Sequence, residues 1–139
     1  MSETTDQSAP VPVPVLDAIG IICDDVAATL DFYGLLGFEL PEEREGHVEI
    51  VLPSGLRLMF DDVAIVQSFS DWTPPTGGDP RLAIALLCDS PAAVDALHAR
   101  VVAAGHTSKV DPFDAPWGQR YATVIDPAGT SVDLFAGLR

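Results

Sequence analysis

The chain has 139 residues, 47% of them hydrophobic and 20% charged, which suits one domain with a core and is too short for two ordinary domains. Its 21 acidic residues outnumber 7 Lys and Arg and give a formal net charge of -14, so nucleic acid and anionic membranes are not expected as partners. The acidity fits either a cationic ligand or solubility alone. The acidic, polar start lacks the features of a signal peptide, and no stretch approaches the roughly 20 apolar residues of a membrane span, so we expect a cytoplasmic protein.

The predicted elements begin after a tail. Residues 1–13 are polar and rich in Pro, as flexible segments are, so the folded domain is expected to span residues 14–139. Residues 14–62 form its first module, which contains a strand, a helix and three further strands. In chain order we expect these elements at 15–23, 24–36, 37–40, 47–53 and 56–62.

The same order of elements begins again after a polar connection rich in Pro and Gly, residues 63–80. The second module covers residues 81–137, with elements expected at 81–88, 90–104, 106–114, 120–126 and 131–136. Cys23 and Cys88, both expected to be buried free thiols, are each followed by Asp where a strand meets a helix. The sequence therefore predicts an α+β fold of paired βαβββ modules that pack into one domain.

Alternation along the strands predicts which face each side chain occupies, because successive residues of a strand point to opposite faces. The apolar set expected against the helices is Val48, Ile50, Leu52, Leu56, Leu58, Phe60, Val132 and Leu134. The set expected on the opposite face is His47, Glu49, Val51, Arg57, Met59, Asp61, Ser131, Asp133 and Phe135. A face that mixes polar and apolar groups is typical of a sheet lining a ligand cleft, and also of an ordinary solvated sheet.

Two long motifs resemble the vicinal oxygen chelate superfamily, which includes glyoxalases, bleomycin resistance proteins and dioxygenases. In the first, "VLDAIGIICDDVAATLDFYGLLGFEL", a strand is followed by Asp, an aromatic pair and Leu-Gly-Phe. The second, "YATVIDPAGTSVDLFAG", is similar to the closing hairpin of that family, and "PWGQR" before it is similar to the glyoxalase and bleomycin-resistance branch. The resemblance implies a curled mixed sheet around a cleft, and a homodimer whose clefts form between modules of two chains.

The resemblance also implies where metal ligands would lie, on the first and last strand of each module. The corresponding residues here are Ala18, Met59, Leu82 or Ala83, and Asp133. Ala and Leu carry no donor atom, and a thioether is a poor ligand for hard or borderline divalent ions. Because only Asp133 is a suitable ligand, we expect no cofactor, and we expect a divalent metal only if a displaced site exists. His47 and Glu49 share a strand face and would supply that site together with Asp133; an exposed His beside an exposed Glu is the ordinary alternative.

Aromatic and acidic side chains predict a binding site for a small molecule. Trp117 lies in a Pro-Trp-Gly turn and Trp72 in the connection between the modules, where an indole can stack on a planar or cationic ligand or instead plug a loop. The complete set of expected ligand-binding residues is Trp117, Asp133, Asp61, Glu49, His47, Met59, Trp72 and Phe135.

These features lead to a function hypothesis and two alternatives. The hypothesis is a small-molecule binding protein without metal, similar to bleomycin resistance proteins, that sequesters a cationic or planar antibiotic or metabolite. The first alternative is a metal-dependent lyase, isomerase or dioxygenase with an altered metal site, in which Glu49 or Asp133 acts as ligand or general base. The second is a regulatory or interaction module with a vestigial cleft.

Overall fold

The computed structural model describes residues 10–139, and over that range the chain folds into seven strands and three helices. In chain order these are β1 (Ala18–Cys23), α1 (Val26–Leu35), β2 (His47–Val51), β3 (Arg57–Asp62), α2 (Val63–Gln67), β4 (Ala83–Leu87), α3 (Pro91–Ala103), β5 (Thr107–Ala115), β6 (Gln119–Ile125) and β7 (Ser131–Gly137). Of the expected tail, residues 1–9 lie outside the described range, and residues 10–13 are exposed without regular structure. No described helix has both the length and the apolar character of a membrane-crossing segment.

The strands form two mixed sheets that repeat one connectivity. Sheet one has the order β1-β3-β2 and sheet two the order β4-β7-β6-β5. In each sheet the first strand of the module runs parallel to the last strand, and the remaining pairs are antiparallel. The prediction of paired α+β modules is therefore confirmed.

The prediction of a strand over residues 37–40 is wrong. Gly37 adopts φ 102° and ends the turn after α1, and Phe38 and Leu40 then pack against the core without joining a sheet. The corresponding segment of the second module is the nine-residue strand β5, so sheet one has one strand fewer than sheet two.

The structure also contains a helix that the sequence analysis assigned to the connection. Helix α2 begins directly after β3 because the Asp62 side chain caps it, accepting a hydrogen bond from the Ile65 N–H at 2.8 Å. Val66 of this helix is buried. The connection without regular structure is consequently shorter than predicted and starts after the helix.

The two long helices start at capping residues that the sequence marks. Asp25 accepts from the Ala28 N–H at 3.0 Å at the start of α1, and Ser90 accepts from the Ala93 N–H at 3.1 Å at the start of α3, where Pro91 occupies the first turn. At the other end of α3, Gly105 adopts φ 98°, a left-handed conformation that glycine tolerates best. Local sequence therefore fixes where both helices begin and where α3 ends.

The core lies between the helices and the helix-facing sides of the sheets, and it is shared by the modules. The alternation predicted for β2, β3 and β7 is confirmed, with Leu58, Phe60 and Leu134 fully buried. Side chains of both modules contribute to one apolar cluster that includes Ile21 of β1 and Val132 of β7. Neither module covers its own sheet alone.

A buried hydrogen bond joins the modules next to this core. The Tyr33 hydroxyl of α1 donates to Asp126 Oδ2 at 2.7 Å, while Asp126 Oδ1 accepts from the backbone N–H groups of Ala128 and Thr130. Burial raises the pKa of both Asp126 and Tyr33 above their ordinary values. One carboxylate thus shapes the turn between β6 and β7 and holds that turn against the other module.

We expect the substitution Tyr33→Phe to lower the free energy of unfolding by about 1.5–3 kcal/mol, because it leaves a buried oxygen of Asp126 without its donor. Urea unfolding followed by circular dichroism measures the change. Asp126→Asn is the matched control, since its amide oxygen can still accept from the turn and its amide nitrogen can donate to the Tyr33 oxygen. If Tyr33→Phe lowers the free energy of unfolding no more than a substitution at an exposed position does, the hydrogen bond does not stabilise the contact between the modules.

Candidate functional site

The register of the sheets places the four family metal positions in equivalent pairs. Met59 of β3 lies opposite Gly20 of β1, and Asp133 of β7 lies opposite Ala85 of β4. In the first module the first-strand position, Ala18, lies two residues before Gly20 and opposite Arg57. The same spacing in the second module, two residues before Ala85, gives Ala83, which lies opposite Ser131. Between the two candidates that the sequence left open, Ala83 is therefore the equivalent residue and Leu82 is not.

The donor groups at these positions do not fit a catalytic divalent ion. Ala18 and Ala83 offer no side-chain donor, and Met59 offers only a thioether. The carboxylate of Asp133 already accepts two hydrogen bonds on its own sheet. No chemical step is therefore derived through a metal at these positions.

Asp133 lies within a polar group on the face of sheet two that is turned away from the helices. The Tyr121 hydroxyl donates to Asp133 Oδ2 at 2.5 Å and the Thr123 hydroxyl donates to Asp133 Oδ1 at 2.7 Å. Desolvation, followed by this bond to the carboxylate, raises the pKa of Tyr121 to about 12, so the phenol stays a donor at neutral pH. These bonds hold the carboxylate in one orientation.

Tyr121, which binds this carboxylate, also belongs to a cluster of aromatic rings. The rings of Phe113, Trp117 and Tyr121 contact one another edge to face, with centroids 5.4 to 6.2 Å apart. Phe135 lies directly opposite Tyr121 in the pairing of β6 with β7. The indole of Trp117 donates to Gln119 Oε1 at 2.9 Å, yet 59% of Trp117 remains exposed, so its ring can accept a ligand. We call the set Phe113, Trp117, Tyr121, Asp133 and Phe135 the aromatic face.

The corresponding face of sheet one carries ions instead of aromatic rings. His47 lies between two carboxylates, with Nδ1 2.5 Å from Asp61 Oδ1 and Nε2 2.7 Å from Glu49 Oε2. Arg57 continues the chain of contacts, with one guanidinium nitrogen 2.5 Å from Glu49 and another 2.5 Å from Asp17. These five residues form what we call the ionic face.

Contacts within the ionic face shift the pKa values of His47 and Glu49 in opposite directions. Hydrogen bonds to Glu49 and then Asp61 raise the pKa of His47 above 6.5, because both carboxylates favour the imidazolium form with its two N–H donors. The bond from His47 and then that from Arg57 lower the pKa of Glu49. At neutral pH both nitrogens of His47 are occupied by internal partners.

The predicted site residues therefore fall into three places. Trp117, Asp133 and Phe135 lie on the aromatic face, whereas His47, Glu49 and Asp61 lie on the ionic face beside Met59. Trp72 lies elsewhere, in a cleft of about 1020 Å³ that is bordered by β1 and β4. Within residues 10–139 no group of three or more His, Cys, Asp or Glu side chains is arranged to hold a metal ion, so the set His47, Glu49 and Asp133 is not assembled there.

Sequence reasoning missed several residues that complete these faces. Tyr121 and Thr123 alternate along β6 toward the same side as Asp133, and Phe113 lies opposite Tyr121 on β5. Alternation within "RYATVID" identifies the first two as neighbours on one face. Their bonds to Asp133 depend on the pairing of β6 with β7, which no pattern within a single strand specifies.

Comparison with protein families agrees with this architecture. Residues 15–134 match the family model described as the glyoxalase/bleomycin resistance protein/dioxygenase superfamily. No match is found among curated protein sequences.

Solved structures of similar fold include proteins from several bacteria. One is a glyoxalase/bleomycin resistance protein/dioxygenase from Nocardioides, with 25% identity over 94% of this chain and 87% of that chain, and a TM-score of 0.70. A glyoxalase-related enzyme from Fulvimarina pelagi is 21% identical over 90% of this chain and 89% of its own, with a TM-score of 0.77. A lactoylglutathione lyase from Agrobacterium tumefaciens is 23% identical over 91% of this chain and 96% of its own, with a TM-score of 0.65.

The ionic face should make stability depend on pH. The pKa of His47 is raised on folding, so protonated His47 contributes to the free energy of unfolding. This contribution is fully present below the ordinary imidazole pKa of 6.5 and is lost as the pH rises through the folded-state pKa. We expect the wild-type protein to lose more stability than His47→Gln over that interval, measured by urea unfolding at a series of pH values. The double substitution Glu49→Gln with Asp61→Asn should return the pKa of His47, read from imidazole NMR shifts, toward 6.5. A wild-type pKa at or below 6.5 would contradict the arrangement.

Proposed function

Because the chain belongs to the glyoxalase/bleomycin resistance protein/dioxygenase superfamily, we propose that it is a small-molecule binding member of this family that works without a metal. The observation that carries the proposal is the contrast between two sets of residues. The family metal positions Ala18, Met59 and Ala83 lack suitable donors, while the fourth position, Asp133, is held by Tyr121 and Thr123 beside aromatic rings. A fixed carboxylate beside aromatic rings suits binding without any chemical step.

The proposed ligand is a planar organic cation, such as a cationic antibiotic or metabolite. A flat ring can stack on the exposed indole of Trp117, and its positive charge is attracted both to the ring faces and to Asp133. The net charge of -14 adds a long-range attraction for cations. In this proposal the protein sequesters its ligand.

The proposed assembly is a homodimer. Its support is the exposure of apolar side chains on the sheets, with Val51 69% and Leu87 74% exposed, which a second copy would cover. Light scattering of the purified protein gives the mass directly, and the mass of a single chain would refute this part of the proposal.

Substitution on the aromatic face should weaken ligand binding without loss of the fold. With proflavine as a planar cationic probe, we expect Trp117→Ala to lower affinity about 2- to 30-fold, since ring stacking with a cation contributes roughly 0.5 to 2 kcal/mol. Asp133→Asn should weaken proflavine binding through loss of charge. Isothermal titration measures both, and Trp72→Ala, which removes an indole outside the aromatic face, should leave the affinity unchanged. Equal affinities of the wild-type, Trp117→Ala and Asp133→Asn proteins would remove this face from the site.

Metal analysis tests the other half of the proposal. Protein incubated with a mixture of Mg²⁺, Mn²⁺, Ni²⁺ and Zn²⁺ and then desalted should retain much less than one ion per chain, because three of the four family positions lack donors. Elemental analysis gives the ratio. Near-stoichiometric metal that is lost in Asp133→Asn would instead favour the enzyme hypothesis.

A further inference from the structure

The cleft between the two modules lies outside the faces described so far. It has a volume of about 1020 Å³ and is bordered by the edge strands β1 and β4, the turn between β6 and β7, and the segment from Trp72 to Leu82. Ile19, Ile21 and Ile84 supply apolar walls, and Trp72 supplies an aromatic ring. Neither Asp133 nor His47 lines it. Its size and apolar walls are typical of a site for a small organic molecule.

Gly20 in the middle of β1 opens the cleft along the strand. Its φ is not positive, so the backbone conformation does not require glycine, and a Cβ added there would meet no atom within 4 Å. Packing therefore does not require glycine either, although glycine weakens a strand interior. The strand leaves open space above its backbone at the point where the cleft passes.

Arg81 gives the cleft a positive group. In the part of the chain that the structure describes, the other arginines before the C-terminal residue and the single lysine each contact a carboxylate or a backbone carbonyl. Arg81 has no such partner there, although the protein carries three times as many acids as bases. Asp79, also on the lining, is neutralised by Lys109 at 2.7 Å.

From the open backbone at Gly20, the apolar walls and the guanidinium of Arg81, which contacts no carboxylate within residues 10–139, we propose that this cleft is a second ligand site, which binds a small organic anion with a flat apolar body. The apolar part lies along β1 and against Trp72, and the carboxylate or sulfonate group binds Arg81, whose planar guanidinium matches such groups. Asp24 on the lining disfavours any second negative charge on the ligand. The site differs from the aromatic face in both position and charge preference.

The two tryptophans allow the sites to be followed separately. In Trp117→Phe the only remaining indole is Trp72, so quenching of its emission reports on the cleft. The probe is 1-anilinonaphthalene-8-sulfonate, which has a flat apolar body and one anionic group, and N-phenyl-1-naphthylamine is its uncharged counterpart. We expect saturable quenching of Trp72 by the anion, and weaker binding of the uncharged compound.

Three variants in the Trp117→Phe background test the assignment. Arg81→Gln should lower affinity for the anion about tenfold and leave that for the uncharged compound unchanged, as expected for loss of a charge-assisted contact. Gly20→Leu should weaken both compounds by filling the open space, with Gly20→Ala intermediate. Arg139→Gln removes the same charge at the C-terminus, away from the lining, and should change neither.

Melting temperatures close to that of the parent are expected for every variant, because a Cβ added at Gly20 meets no atom within 4 Å and Arg81 forms no ion pair within residues 10–139. Affinity for the anion that is unchanged in both Arg81→Gln and Gly20→Leu would overturn the proposal, as would equal affinity of the parent for the charged and uncharged compounds. Proflavine titrated into Trp72→Phe, where Trp117 is the only indole, reports separately on the aromatic face.

Discussion

The bond between Tyr33 and Asp126 joins two modules that cannot each bury a sheet alone. Tyr33 reaches from α1 to the turn before β7, and the same carboxylate accepts the backbone N–H groups that shape this turn. Since the turn sets where β7 begins, it also sets the register that places Asp133 opposite Ala85 on one side and Thr123 on the other. The position of the candidate site thus depends on a contact made by the other module.

Equivalent positions of the two modules carry different chemistry. The last-strand position is Met59 in sheet one, beside an ionic network, and Asp133 in sheet two, beside aromatic rings. The charged groups of this network pair with one another, because each contacts an opposite charge within 2.7 Å. The aromatic face has one carboxylate, oriented by two neutral hydroxyl groups that leave its charge uncompensated. Under the proposed function, sheet two therefore carries the carboxylate that a cationic ligand would contact.

The two proposed sites, one with Asp133 on the aromatic face and one with Arg81 in the cleft, are compatible in one small acidic protein because they lie in different places. Direct contacts at hydrogen-bond distance outweigh the diffuse field of the remaining charges, which is screened over about 10 Å at 0.1 M salt. In the proposed cleft site Arg81 would act locally on an anion, while the overall charge of -14 would favour the arrival of cations at the aromatic face. The two proposed sites therefore differ in the sign of the charge that each would favour.

Local sequence determined the elements whose signals lie within a few residues: the caps at Asp25 and Ser90, and the alternation that put Leu58 and Phe60 inside. Local sequence could not show that residues 37–40 do not form a strand. A strand needs a partner strand, and none pairs with Phe38. Alternation placed His47, Glu49 and Asp133 away from the helices, yet it could not say that they lie on different sheets. The hydrogen bonds to Asp133 and the cleft at Gly20 were decided by strand pairing and module packing, since both bring together residues that are distant in the chain.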